Sequence, residues 1–180
     1  MRKITMLGVV VSGLVVGLAA FASAQAPSVE LKVGDMAPAF GLMGSDGKMH
    51  TLSDYRGRAV VLAWFPKAFT GGRTAECKSL RASGETIRQF DVAYFMISVD
   101  DAETNARFAK EHEADFPILS NPTKDVGNAY GVLSGMGMAR RWTFYIGTDG
   151  KILKIDKAVS TGSAGEDLAR HLGELGVKRK

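Results

Sequence analysis

Three features of this 180-residue sequence predict an α/β fold, a central mixed sheet with helices on both faces. Two apolar runs, Val60-Val-Leu-Ala-Trp-Phe65 and Val92-Ala-Tyr-Phe-Met-Ile-Ser-Val99, carry no charge, the pattern of strands covered on both sides. Segments of helical periodicity follow them, and alternating strands and helices build parallel βαβ units. Near the end, Thr148-Asp149-Gly150 separates two more strand-like runs, a hairpin signal that adds antiparallel strands.

The elements follow in order. Residues 31–40 read as an extended lead-in. Ser45-Asp-Gly-Lys48 is a turn between two short strands. Leu52-Ser-Asp-Tyr-Arg-Gly57 is a single helical turn ended by glycine. The strand at 60–65 breaks at Pro66, loops through Thr70-Gly-Gly72 and gives way to one amphipathic helix over 73–90, with Cys77, Leu80, Gly84 and Ile87 on one face. After the strand at 92–99, Asp100 and Asp101 supply a cap for a helix over 102–112. Ile118-Leu119 is a short strand before Asn121-Pro-Thr123. A short helix over 124–130 is closed by Gly131, and Ser134-Gly-Met-Gly-Met138 reads as a flexible loop. The hairpin strands span 142–146 and 151–155, and a last helix spans 165–175. This order describes a thioredoxin-like α/β sandwich.

Composition and charge narrow the class. Hydrophobic residues make up 46% of the chain and charged residues 23%, as in folded globular proteins. From 29 to 180 there is one domain with no long linker, repeat or low-complexity segment. The formal net charge is +4, and without Arg2 and Lys3 of the leader it is +2. No basic helix or basic–aromatic interleaving marks a nucleic-acid partner. Residues 1–24 have the pattern of a signal peptide: a positive Met1-Arg-Lys3, an apolar run over 6–21, and a small-residue Ala22-Ser-Ala24 cleavage site. A retained anchor is the alternative, but the run is short for a span of about 20 residues. The pattern predicts a mature chain that starts near Gln25, is periplasmic or secreted, and has no membrane attachment after cleavage.

Export places Cys77, the single cysteine, in an oxidising compartment, where it has no intramolecular partner. Three readings stay open: a buried free thiol acting as a small hydrophobe, a reactive thiol, or one half of an intermolecular disulfide. The absence of Cys-x-x-Cys speaks against a thioredoxin-type disulfide oxidoreductase. His50, His112 and His171 lack metal-ligand spacing and read as surface or helix-end residues. Neither a metal nor a cofactor is expected.

Several segments, in order, resemble the peroxiredoxin (AhpC/TSA, redoxin) family, and within it the bacterioferritin-comigratory or PrxQ-like branch. They are Val33-Gly-Asp with Ala37-Pro38 and Phe40; Leu52-Ser-Asp-Tyr55 with Gly57; Pro66-Lys-Ala-Phe-Thr-Gly-Gly72; Ser98-Val-Asp100; Phe116-Pro-Ile-Leu-Ser120 with Pro122; Ala129-Tyr-Gly-Val132; and Arg141-Trp-Thr-Phe-Tyr-Ile146 with Asp149-Gly150. The resemblance covers roughly 31–175. It implies reduction of hydrogen peroxide or organic hydroperoxides with an external thiol as reductant, in a monomer or weak dimer.

The family motif Pro-x-x-x-Thr-x-x-Cys puts Pro66 and Thr70 in register and assigns the peroxide-attacking cysteine to position 73, which is Arg73. That chemistry needs a thiolate, stabilised by free backbone N–H groups at a helix N-terminus and oxidised by peroxide to sulfenic acid. By the resemblance, Thr70 and Arg141 hold the peroxide, Pro66 shields the sulfur, and Glu76 holds the arginine. Arginine cannot reduce peroxide. Cys77 lies about one helical turn, 5–6 Å, further on, deeper and further from the amides. Arg73 either joins Arg141 and the amides of 70–72 in an anion pocket or marks simple loss of the nucleophile. The function expected is that of a thiol-dependent peroxide reductase with Arg73 in place of its nucleophile; the alternative is a non-catalytic binding or regulatory module that keeps the pocket.

Overall fold

A computed structural model describes residues 30–66 and 71–180. The predicted leader and Thr70 lie outside the described residues. The strands are β1 (Gly41–Gly44), β2 (Met49–Thr51), β3 (Ala59–Trp64), β4 (Val92–Ser98), β5 (Ile118–Ser120), β6 (Thr143–Ile146) and β7 (Ile152–Asp156). The helices are α1 (Gly71–Ala82), α2 (Gly84–Arg88), α3 (Ala102–Glu111), α4 (Asp125–Ala129) and α5 (Ala164–Glu174), with a 3-10 turn at Leu52–Tyr55.

The strands form one mixed sheet in the order β2-β1-β5-β4-β3-β6-β7. The β3/β4 and β4/β5 pairs are parallel; the others are antiparallel. Every residue of β3 and β4 is buried, as their unbroken apolar runs require. Alternate residues feed two cores. Val60, Leu62 and Trp64 pack with Tyr130, Val132 and Phe144 on one face. Val61, Ala63 and Phe65 pack with Cys77, Leu80, Phe108 and Leu168 on the other.

Three expectations need correction. The single helix expected over 73–90 is two helices, because Ser83 (ψ 2°) leaves helical geometry and Gly84 begins a new segment. At Gly84 a side chain would collide with Asp115 Oδ2 at 2.7 Å, so the break lets the chain pass close to the α3–β5 connection. The loop over 134–138 is held: Ser134 N–H donates to Met138 O at 2.8 Å and Leu133 bridges Ala139. His50 and His171 are buried at 8% and 6% exposure, each hydrogen-bonded, whereas His112 ends α3 as expected. Asp101 caps α3 through Thr104 N–H, and Arg140 faces solvent.

Candidate functional site

The site lies where β3 ends and α1 begins. Pro66 is half-buried just beyond Phe65, and α1 opens with Gly71-Gly72. Because β6 runs antiparallel to β3, with Thr143 beside Ala63 and Trp64 N–H donating to Trp142 O at 2.9 Å, Arg141 is delivered to the same end. A Cβ at Gly72 would stand 3.2 Å from Arg141 Nη2 and 3.8 Å from Thr161 Cγ2, so the missing side chain admits the guanidinium against the first helical turn. Arg141 Nη1 donates to Glu76 Oε2 in an ion pair. Glu76 is 1% exposed. Burial holds its carboxyl above the usual range, against the opposing pull of Arg141 and Arg73. The structure thus brings together Arg141, Glu76 and the start of α1, with Pro66 nearby.

Arg73 takes a different course. It is 0% exposed, and its guanidinium carbon sits 3.4 Å from the centroid of Phe108 and 4.2 Å from that of Phe65, between two aromatic faces. Nη2 donates to Asn105 Oδ1 at 2.9 Å, and Nη1 lies 3.8 Å from Asp100 Oδ2. Asn105 is a hub: Ser98 Oγ donates to its Oδ1, and its Nδ2 donates to Ser120 Oγ at 2.7 Å and to Leu119 O at 3.3 Å. Arg73 therefore ties α1 to α3 and, through Asn105, to the carboxyl ends of β4 and β5. Burial lowers its pKa to about 10, partly offset by Asp100, Cys77 and Glu76, so it stays charged at neutral pH. Its Nε and Nη1 make no hydrogen bond among the described residues. Of the two readings of Arg73, these contacts favour simple loss of the nucleophile over an anion pocket shared with Arg141, since the Arg73 guanidinium is turned to Asn105 and Asp100.

Cys77 is also 0% exposed, walled in by the core that holds Phe65 and Leu80. Burial pushes its thiol up to about 11; the Arg73 charge opposes this and the Glu76 charge adds to it. A thiol so placed is almost wholly protonated at neutral pH.

The residues not foreseen are Phe65, Ser98, Asp100, Asn105, Phe108 and Ser120 around Arg73. One signal was available: an amide at 105 lies on the apolar stripe of α3, three residues before Phe108. Among the described residues, no group of three His, Cys, Asp or Glu side chains is placed to hold a metal ion, and no helix is long and apolar enough to cross a membrane.

The AhpC/TSA family profile matches residues 33–155. The chain belongs to the AhpC/TSA family. Among its relatives, Peroxiredoxin Bcp of Escherichia coli strain K12 is 36% identical over 129 residues, which are 68% of this chain and 83% of that protein. Peroxiredoxin Bcp of Bacillus subtilis strain 168 is 30% identical over 132 residues, 69% of this chain and 83% of that protein. The solved structure of Peroxidoxin BcpB from Mycobacterium tuberculosis aligns at a TM-score of 0.73 and 28% identity, over 81% of this chain and 98% of that one. Xylella fastidiosa PrxQ, solved as a mutant with one cysteine changed to serine, aligns at 0.76 and 22% identity, over 82% and 98%. These relatives place the chain in the Bcp/PrxQ-like branch of the peroxiredoxins and its fold among the thioredoxin-like folds. Peroxiredoxins are thiol peroxidases, a class that uses a peroxide substrate and a thiol reductant.

Proposed function

We propose that this chain is an exported peroxiredoxin-type protein that has exchanged fast thiol chemistry for a binding or regulatory role in the same site. The observation that carries this reading is the state of its two candidate reacting positions. At position 73, where the family resemblance calls for a nucleophile, stands a guanidinium locked between Phe65 and Phe108. The single thiol, Cys77, is fully buried with its pKa raised to about 11. The retained part is the Arg141–Glu76 pair against the first turn of α1, which with Pro66 and Thr70 would receive a peroxide-sized polar ligand. The signal-peptide pattern supports a periplasmic or secreted protein, and the family resemblance supports a monomer or weak dimer.

The experiment mixes the mature protein with one equivalent of hydrogen peroxide and follows peroxide loss and Cys77 sulfenic acid by mass spectrometry, beside Arg73→Cys and Cys77→Ser. The proposal expects native protein and Cys77→Ser to consume no peroxide over minutes, and folded Arg73→Cys to react. Consumption by the native chain that vanishes in Cys77→Ser would replace the proposal with a one-thiol peroxidase.

A further inference from the structure

Two histidines of this chain each hold a tyrosine hydroxyl through Nδ1, and they are wired in opposite senses. His171 Nδ1 lies 3.0 Å from Tyr145 Oη, and its Nε2 lies 3.0 Å from Arg170 Nη2. A guanidinium only donates, so Nε2 is the acceptor, Nδ1 carries the hydrogen, and the Tyr145 oxygen receives it. His50 Nδ1 lies 2.6 Å from Tyr55 Oη, and its Nε2 lies 3.1 and 3.2 Å from the two Asp46 oxygens. A carboxylate only accepts, so Nε2 carries the hydrogen, Nδ1 presents a lone pair, and the Tyr55 hydroxyl donates into it. Of these two tyrosines, and among the described residues, Tyr55 is the one with a base waiting for its proton and an anion behind that base.

The arrangement is built by the β1–β2 hairpin. Asp46 sits in its turn, His50 in the centre of β2, and Tyr55 at the end of the following 3-10 turn. Tyr55 and His50 both pack on Phe95, at centroid distances of 5.3 and 5.2 Å. A Cβ at Gly44 would stand 2.5 Å from Asp46 Oδ1 and 2.9 Å from the His50 ring, so only glycine at that position lets carboxylate and imidazole close on each other. Tyr55 also lines a cavity of about 400 Å³ whose other walls include Met36, Leu52, Val60 and Ile146, with Arg56 at the same cavity. A solute with an apolar part can therefore come up to the Tyr55 side chain without entering the Arg141 site.

We propose that Asp46, His50 and Tyr55 form a proton-coupled one-electron donor toward alkylperoxyl radicals. Tyr55 gives one electron to the radical and its hydroxyl proton to His50 Nδ1. The products are a neutral phenoxyl radical, an imidazolium paired with Asp46, and a hydroperoxide anion. That anion takes a proton from water and leaves as hydroperoxide, and the hydroxide left behind is neutralised by the imidazolium proton, which returns His50 to its starting state. Moving the proton inside an existing 2.6 Å hydrogen bond lets the electron leave without forming the high-energy phenol radical cation. Tyr145, whose oxygen already receives a hydrogen from His171, has no such acceptor among the described residues.

The test exposes the full chain to alkylperoxyl radicals from a thermally decomposed azo initiator and records electron paramagnetic resonance on rapidly frozen samples. A neutral tyrosyl signal is expected in the native protein. It should be lost in Tyr55→Phe, kept in Tyr145→Phe, and formed at least tenfold more slowly in Asp46→Lys. The last change puts a donor against His50 Nε2 on a solvent-facing turn and so copies the wiring of His171. Circular dichroism establishes that each variant is folded; should Tyr55→Phe fail to fold, Asp46→Lys decides alone. No tyrosyl signal in the native protein, a signal that survives Tyr55→Phe, or an unchanged rate in Asp46→Lys overturns the proposal.

Discussion

Arg73 and Arg141 stand at the same end of β3 and do unlike things. Arg141 keeps 20% of its side chain exposed and neutralises one buried carboxylate at the rim of the site. Arg73 is wholly enclosed, has aromatic rings on both faces, and has a nearby carboxylate it does not hydrogen-bond. The first keeps an open side toward solvent; the second is enclosed by the fold. A charge is costly to bury and more costly to strand, so each arginine is best judged by what its removal leaves behind.

The largest expected effect is at Arg73. Arg73→Ala leaves a guanidinium-sized void and removes the Arg73 contacts to Asn105 and Asp100, and should lower unfolding free energy by about 4 kcal/mol. Urea denaturation measures it; a loss under about 1 kcal/mol would mean that Arg73 does not brace the core. Arg141→Ala should cost about 2 kcal/mol by leaving Glu76 buried without its cation. Adding Glu76→Gln should recover most of that loss, and a double variant no better than the single would show that the pair is not coupled.

A comparable effect depends on pH. The folded state holds the Cys77 proton up to about pH 11, whereas the unfolded chain releases it near 9. The native state therefore binds the extra proton between those values, and the stability it confers is full below about 9 and lost as pH rises to about 11. The difference between native protein and Cys77→Ala should shrink by about 2 kcal/mol across that window. A constant difference would mean that the thiol is not desolvated. The smallest effect is expected for Gly72→Ala, where the flexible end of Arg141 can yield to a new methyl group. Stability should change by less than about 0.5 kcal/mol, as a thermal melt would record.

Much of the fold was legible because its signals are local. The uncharged runs of β3 and β4, the Asp101 cap and the Thr148-Asp149-Gly150 turn each declare themselves within a few residues. The Arg141–Glu76 pairing was legible only through family resemblance, since 65 positions separate the two. The surroundings of Arg73 were not legible. Arginine in a helix's first turn reads as a solvent-facing charge, and its burial depends on Phe108 and Asn105, which topology brings from another helix. His171 misled for the same reason, its partner Tyr145 lying 26 positions away, whereas the partners of His50 are the nearby Asp46 and Tyr55 and only its burial against Phe95 was hidden.

The Asn105 hub bears on how readily the present state could be undone. One amide answers Arg73 on one side and Ser98 and Ser120 on the other, while Phe65 and Phe108 are spaced to hold a flat cation between them. A smaller residue at 73 meets a slot shaped for something larger, and a different residue at 105 meets a stranded charge. Neither change is comfortable alone. The neighbours act as a ratchet: a chain carrying them could accept a sulfur at position 73 most readily by passing through several substitutions together.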